Sequence, residues 1–312
     1  MALKIIGAGI AGLLAANMLR RYDPVVVEAK EKLPNNHSAV LRFRSRVVAD
    51  TLGIDFRKVS VIKATLPYKN PVADALSYSY KNTGVFRSDR SITDSVSYAE
   101  RYVAPPDLLS RMAEGVDVRY GQEYSFDDAD RVISTIPMPN LMAALDYAPY
   151  REGRIDFGWV GGVNVRARIV DCDAYVSVYV PDPSFPFSRV SVTGDELIVE
   201  MPNQGLAGVD PHHTANAAAH LILGIRPYMV EDVKVYEQPY AKIVPIDEDE
   251  RREFMFWAST IRRRSFSLGR FATWRPSLLA DDLVKDVKVI ERLMNSRSSG
   301  YDAEKLEREA GR

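Results

Sequence analysis

The chain opens LKIIGAGIAGLLAANMLRR, and this stretch constrains the fold more than any other. Leu3 to Ile6 is an apolar run as long as a buried parallel strand. Gly7, Gly9 and Gly12 follow in G-x-G-x-x-G spacing, and Leu13 to Arg21 has helical composition. Asp23-Pro24 breaks that helix. Pro24 to Ala29 then reads as a second buried strand carrying Glu28 near its end. Strand, glycine turn, helix and strand within about thirty residues make a βαβ unit of the kind that holds a dinucleotide. Gly7 permits the tight turn, Gly9 lets a pyrophosphate approach the backbone, and Gly12 lets the helix pack on the strand. The helix N-terminus offers N–H groups and partial positive charge to phosphates. Glu28 stands where an acid accepts hydrogen bonds from a ribose diol.

The motif alone fits FAD or NAD. Its place at the N-terminal end and the Glu, rather than Asp, lean toward FAD, and the acid disfavours a 2′-phosphate.

The length, 312 residues, predicts one large domain or two of ordinary size. Hydrophobic residues are 46% and charged residues 27%, which excludes disorder as a whole-chain state. Lys plus Arg is 41 and Asp plus Glu is 42, so no global field favours nucleic acid or membrane. A single cysteine, Cys172, excludes an internal disulfide framework and reads as a small buried apolar residue. No uninterrupted apolar run is long enough for a membrane helix, and the glycine-broken N-terminus reads as core rather than signal peptide; the expectation is a soluble, cytoplasmic protein. His212 and His213 are adjacent on an expected helix, Pro211 to Ile225, and point apart, so no metal is expected.

Two further segments carry a family resemblance. Arg131 to Ile136 reads as a strand, followed by Pro137 and Pro139. Its end, Ser134-Thr135-Ile136-Pro137, is similar to the turn beside the flavin in amine oxidases and UDP-galactopyranose mutases, flavoproteins of the two-dinucleotide-fold class (GR2). Residues 238–276, QPYAKIVPIDEDERREFMFWASTIRRRSFSLGRFATWRP, resemble the end of the mutase family in order and spacing. Gly269-Arg270-Phe271-Ala272-Thr273-Trp274 occupies the family's flavin-side turn, and Tyr240 matches the first of its substrate-side tyrosines. Residues 277–295 form an expected amphipathic helix capped by Ser277, with Leu278, Leu279, Leu283, Val287, Ile290 and Leu293 as its stripe. The resemblance covers roughly 1–45, 129–145 and 238–295. Asn35-Asn36-His37 replaces the family's Gly-Gly pair, and Pro276 its second tyrosine.

The resemblance implies an α/β fold: a Rossmann-like, UDP-galactopyranose mutase-like FAD-binding domain with an inserted antiparallel-sheet substrate domain. Residues 1–53, 101–147 and 262–298 fall to the FAD domain, 54–100 and 148–261 to the substrate domain, and 299–312 to a polar tail. Residues 38–52 read as a helix ended by Gly53, with Arg42, Arg44 and Arg46 near its start. An arginine in such a position reaches the FAD pyrophosphate in aromatic hydroxylases. Tyr68, Tyr78 and Tyr80 cluster in a mixed insertion, and 155–201 is strand-rich with a hairpin turn at Thr193-Gly194-Asp195.

The cofactor residues implied are Gly7, Gly9, Gly12, Glu28, Arg42, Arg44, Thr135, Pro137, Gly269 and Arg270. Arg270 and Tyr240 are the catalytic candidates, Arg270 to fix an anionic group and Tyr240 to line the pocket opposite; Trp274 reads chiefly as core. A flavin carries the hard chemistry itself. The leading expectation is an FAD-dependent oxidoreductase that removes a hydride from an amine or amino-acid-like carbon. A variant takes an amino-acid-modified base in DNA, as in viral thymine hypermodification, with Arg251, Arg252 and Arg262 to Arg264 as a basic rim; the alternative for these arginines is a charged helix face and loop neutralised by the acids at 247–250. The alternatives are a mutase using reduced flavin on a nucleotide sugar, and a non-enzymatic flavin-binding module. The sequence leaves the oligomeric state open.

Overall fold

The computed structural model describes residues 3–33, 42–87, 92, 95–124, 126, 131–202, 206–260 and 264–295. Asn35 to His37, Arg262, Arg263 and the 299–312 tail lie outside them.

The chain begins with β1 (Leu3–Ile6), α1 (Ile10–Met18) and β2 (Val25–Glu28). It continues through β3 (Arg42–Phe43), α2 (Val47–Leu52), β4 (Arg57–Thr65), α3 (Pro71–Thr83), β5 (Val96–Val103) and α4 (Leu108–Ala113). It then runs through β6 (Asp117–Tyr120), β7 (Arg131–Ser134), α5 (Met138–Ala144) and α6 (Ala148–Arg151). Four strands follow: β8 (Trp159–Ile169), β9 (Ala174–Tyr179), β10 (Arg189–Gly194) and β11 (Glu196–Pro202). α7 (Pro211–Leu223), β12 (Val230–Ile243), α8 (Glu248–Ser259), β13 (Ser265–Ser267) and α9 (Leu283–Asn295) complete the fold.

Two sheets form. The first is parallel, in the order β13-β7-β1-β2-β6. Its central strands are almost wholly apolar and buried, as a sheet covered on both faces requires. α1 packs against α4 and α9. The C-terminal ends of β1, β7 and β13 lie side by side, where open α/β sheets bind ligands.

The second sheet has eight strands, in the order β12-β8-β11-β10-β9-β4-β5-β3. It is antiparallel except for β4 and β9, which run parallel, so it is mixed rather than purely antiparallel. Alternation sorts its faces. Val163, Val165, Val190, Val192, Leu197 and Val199 form an apolar face covered by Ala215, Ala218 and Ala219 of α7. The opposite face carries Lys63, Arg101, Asn164, Arg166, Ser177, Arg189, Ser191 and Glu200.

That polar face is curled. Arg42 on β3 donates to Ser177 Oγ on β9 at 3.0 Å and to Thr193 Oγ1 on β10 at 2.7 Å. In a flat sheet β3 and β9 would stand ~14 Å apart, beyond an arginine's reach. α3 covers part of this face: Tyr78 packs edge-on against Tyr179, and Lys81 Nζ donates to the carbonyls of Val180, Asp182 and Phe187.

Several expectations need correction. Residues 38–52 are not one helix: Arg42–Phe43 pairs with Val103 and Tyr102 of β5, and the helix begins at Val47. β3 lies inside the 1–53 stretch yet belongs to the second sheet. The last helix starts at Leu283, after a short 3₁₀ turn at Ala280–Asp282, and Ser277 does not cap it. The 54–100 insertion contains the regular helix α3, capped by the Asn70 side chain and started by Pro71. The hairpin at 193–195 is present, with Gly194 at φ +69° and Thr193 opposite Glu196.

Candidate functional site

The glycine turn is built as its spacing predicts. Gly7 adopts a left-handed backbone, φ +96°, which favours glycine. A Cβ there would overlap Thr135 Oγ1. Thr135 occupies that place because its N–H and hydroxyl both donate to the Ile6 carbonyl, at 3.0 and 2.7 Å. A Cβ on Gly12 would overlap the Gly7 carbonyl oxygen, so Gly12 allows α1 to sit on the turn. Gly9 differs: a Cβ on it would meet no atom within 4 Å. Gly9 caps α1 without a side-chain hydrogen bond. The side of Gly9 at the helix N-terminus is therefore unobstructed.

Glu28 reaches the same turn. Its Oε2 accepts from the Ala8 N–H at 2.7 Å and its Oε1 from the Lys30 N–H at 3.0 Å. The carboxylate thus spans the ends of β1 and β2.

The C-terminal segment joins them. The Leu268 N–H donates to the Ser134 carbonyl at 2.9 Å, and Gly269 turns away at φ +97°. A Cβ on Gly269 would stand 3.1 Å from Ala11 Cβ, so this turn abuts the first turn of α1. Pro137 follows Thr135 and caps α5 with its carbonyl, accepting from the Leu141 N–H at 3.0 Å. The Met138 N–H donates to the Phe271 carbonyl at 2.9 Å, which ties the two segments together. Arg270 is half-buried, its guanidinium 5.7 Å from the Phe271 ring centre.

An aromatic group stands next to this turn. Tyr240 lies 5.4 Å from Trp159, 5.8 Å from Phe271 and 6.1 Å from Trp274 between ring centres. Its hydroxyl donates to Asn140 Oδ1 at 3.3 Å, and burial, then the nearby Tyr150, push it above the usual phenol range. Trp274 is 1% exposed and donates its indole N–H to the Val244 carbonyl, so it is core. Trp159 is 46% exposed and gives the group an open flank.

The arginines divide. Arg42 is taken up by the second sheet, with Thr193, Ser177 and the carbonyls of Val176 and Val192 as its partners. Burial, then Arg189, lowers its guanidinium to about 10. It is thus held by sheet atoms on β9 and β10 rather than by the glycine turn. Arg44 instead reaches the start of the last helical segment, where its N–H donates to Asp281 Oδ2 at 3.1 Å, and its side chain is exposed. Arg251 is buried and paired with Glu248, and Arg252 pairs with Glu248 and Asp249, so these two are neutralised by the acids beside them. Cys172 is half-buried rather than buried. Among the described residues, no group of three or more His, Cys, Asp or Glu is placed to hold a metal, and no helix is long and apolar enough to cross a membrane.

The structure therefore brings Gly7, Gly9, Gly12, Glu28, Thr135, Pro137, Gly269 and Arg270 to one place, with Tyr240 beside it. Sequence reasoning missed Asp281, Trp159 and Asn140. An acid in the first turn of a helical segment was the available signal for Asp281; the other two had none.

No protein-family model and no curated protein sequence matches the chain. Solved structures do match in fold. A crystal structure of reduced UDP-galactopyranose mutase aligns with a TM-score of 0.70 at 13% identity, over 95% of this chain and 96% of that one. A geranylgeranyl bacteriochlorophyll reductase-like protein from Thermoplasma acidophilum aligns at 0.56 and 12% identity, over 99% and 81%. Aklavinone-11 hydroxylase, in a complex with FAD and aklavinone, aligns at 0.50 and 13% identity, over 94% of this chain and 62% of that one. At such identities the likeness establishes the fold alone: an α/β fold, with a parallel and a mixed sheet, that resembles those of FAD-binding flavoproteins.

Proposed function

We propose that the chain is an FAD-dependent oxidoreductase. The observation that carries this reading is the contrast within the glycine turn. Gly7 and Gly12 are required by protein atoms, whereas Gly9 faces open space at an uncapped helix N-terminus. Such a cradle fits a pyrophosphate, and Glu28 stands beside it for a ribose. The residues present therefore fit FAD. Gly7, Gly9, Thr135 and the α1 N-terminus would hold its phosphates, Glu28 its ribose, and Gly269 and Arg270 its flavin end. Arg44, next to Asp281, is the arginine available to the phosphates; Arg42 serves the sheet. Bound FAD would supply a two-electron acceptor.

The chain's own groups have three tasks. Arg270 orients an anionic group at the turn. Tyr240, its hydroxyl proton donated to Asn140 and kept on the phenol, lines the pocket and offers its oxygen lone pairs as an acceptor. Phe157, 4.8 Å from Trp274 between ring centres, Phe271 and Trp274 give it an apolar wall on the side away from exposed Trp159. The substrate reading is hydride removal from an amine or amino-acid-like carbon.

A nucleotide-sugar mutase is the second reading, favoured by the 0.70 alignment with the mutase structure and by Tyr240. One experiment separates them. Amines, amino acids and modified DNA are mixed with the oxidised, FAD-loaded protein, and UDP-sugars with the prereduced one. Bleaching of the flavin by an amine supports the oxidoreductase. Sugar isomerisation only after prereduction replaces it with the mutase.

A further inference from the structure

The polar face of the eight-stranded sheet gathers several cations, two of which, Lys63 and Arg101, form no ion pair among the described residues. Strand register puts them together: Lys63 on β4 lies opposite Ser177 of β9 and Ser97 of β5, and Arg101 on β5 lies opposite Val59. Arg189 of β10 shares the same face, through Tyr179 of β9. Arg42 crosses this face from the edge strand to reach Thr193.

The nearby carboxylates are engaged elsewhere. Glu200 pairs with Arg189 and Lys242. Asp281 accepts from the N–H groups of Arg44 and Ser45 and from the Ser45 hydroxyl. Glu100 belongs to the opposite face and pairs with Lys58. Among the described residues, Lys63 makes no hydrogen bond or ion pair, although it is half-buried. Arg101, also half-buried, donates to the Glu100 carbonyl at 2.6 Å and pairs with no described carboxylate. The ammonium of Lys63 is held below its usual range by burial, then by Arg101, Arg44, Arg42 and Arg189. Arg101 is lowered by burial, then by Arg44, with Tyr179 and Asp281 opposing this more weakly. Like charges gathered away from bulk water are costly unless an anion joins them.

We infer that Lys63 and Arg101 form a binding site for an oxyanion, the phosphate or carboxylate group of the substrate. A guanidinium and an ammonium together suit such a group: the fork fixes its plane, and the point charge adapts to it. The site itself stands on the cations. Its assignment to the substrate rests on the flavin reading above, because the same chemistry occurs in FAD's own pyrophosphate.

The test uses the full-length, FAD-loaded protein with inorganic phosphate and acetate as probes, and the variants Lys63→Met, Arg101→Gln and their combination. Wild type is expected to bind a probe with FAD in place. The double variant is expected to bind it at least about tenfold more weakly while FAD affinity stays within about twofold. In low-salt buffer without either probe, each single variant should melt no lower than wild type, since a repulsion has been removed. That result also shows that the variants fold. No probe binding by wild type, or equal binding by the double variant, overturns the site. Probe binding only without FAD, or FAD affinity falling together with probe affinity, assigns the cations to the cofactor and overturns the substrate assignment. If the protein takes no FAD at all, the flavin reading fails, and the same titrations on wild type and double variant still decide whether the anion site exists.

Discussion

Gly12 lies directly against the carbonyl oxygen of Gly7, so close that a Cβ on Gly12 would overlap it. Two positions of one motif thus serve the fold of the turn itself, and the third, Gly9, does not. Gly12→Ala is expected to destabilise the protein by about 3 kcal/mol or more, because backbone must move to admit the methyl group. Thermal melting checks this, with or without flavin.

Gly9→Ala should separate folding from cofactor binding. Its Cβ enters open space. The cost of an alanine N-cap is about 1 kcal/mol, so Tm should fall by only ~3 °C. FAD affinity should fall at least about tenfold, since the methyl group occupies the approach to the helix N-terminus. An unchanged FAD affinity would remove Gly9 from the cofactor site.

Arg42 and Arg44 should behave oppositely. Arg42→Met strips buried donors from Ser177, Thr193 and the carbonyls of Val176 and Val192. It should lower stability by about 2–4 kcal/mol whether or not FAD is present. Arg44→Ala removes an exposed side chain and should leave stability within about 0.5 kcal/mol, while weakening FAD binding. Melting curves and FAD titration of both variants give the comparison.

The Glu200 cluster sets an acid limit. Burial raises the Glu200 carboxyl, but Arg189 and Lys242 more than offset it and hold it down to about 2. A carboxylate depressed in the folded state contributes stability above its unfolded value, near 4.5, that disappears as pH falls toward 2. Glu200→Gln should therefore be less stable than wild type at neutral pH and show a flatter loss of stability between these two values. A wild-type profile as flat as that of the variant would contradict the ion-pair geometry.

These contrasts also mark what the sequence could and could not reveal. The β1-α1-β2 unit was legible because a buried strand, three spaced glycines and an acid depend on neighbours within thirty residues. The Gly269 turn was legible through its resemblance to known flavin-side turns. β3 was not, because a two-residue strand has no alternation to detect. The role of Arg42 was hidden for another reason: its partners Ser177 and Thr193 lie 135 and 151 residues away, and only the curl of the second sheet brings them within reach. The juxtaposition of Lys63 and Arg101 was equally invisible, since the near-neutral charge of the whole chain averages over faces that differ.

The visible absorption spectrum of the purified protein, recorded before and after incubation with FAD and removal of the excess, tests the assignment of FAD most directly. A yellow protein, or a colourless one that retains FAD with an oxidised-flavin spectrum after the excess is removed, is the predicted result. A colourless protein that cannot be reconstituted with FAD would contradict it.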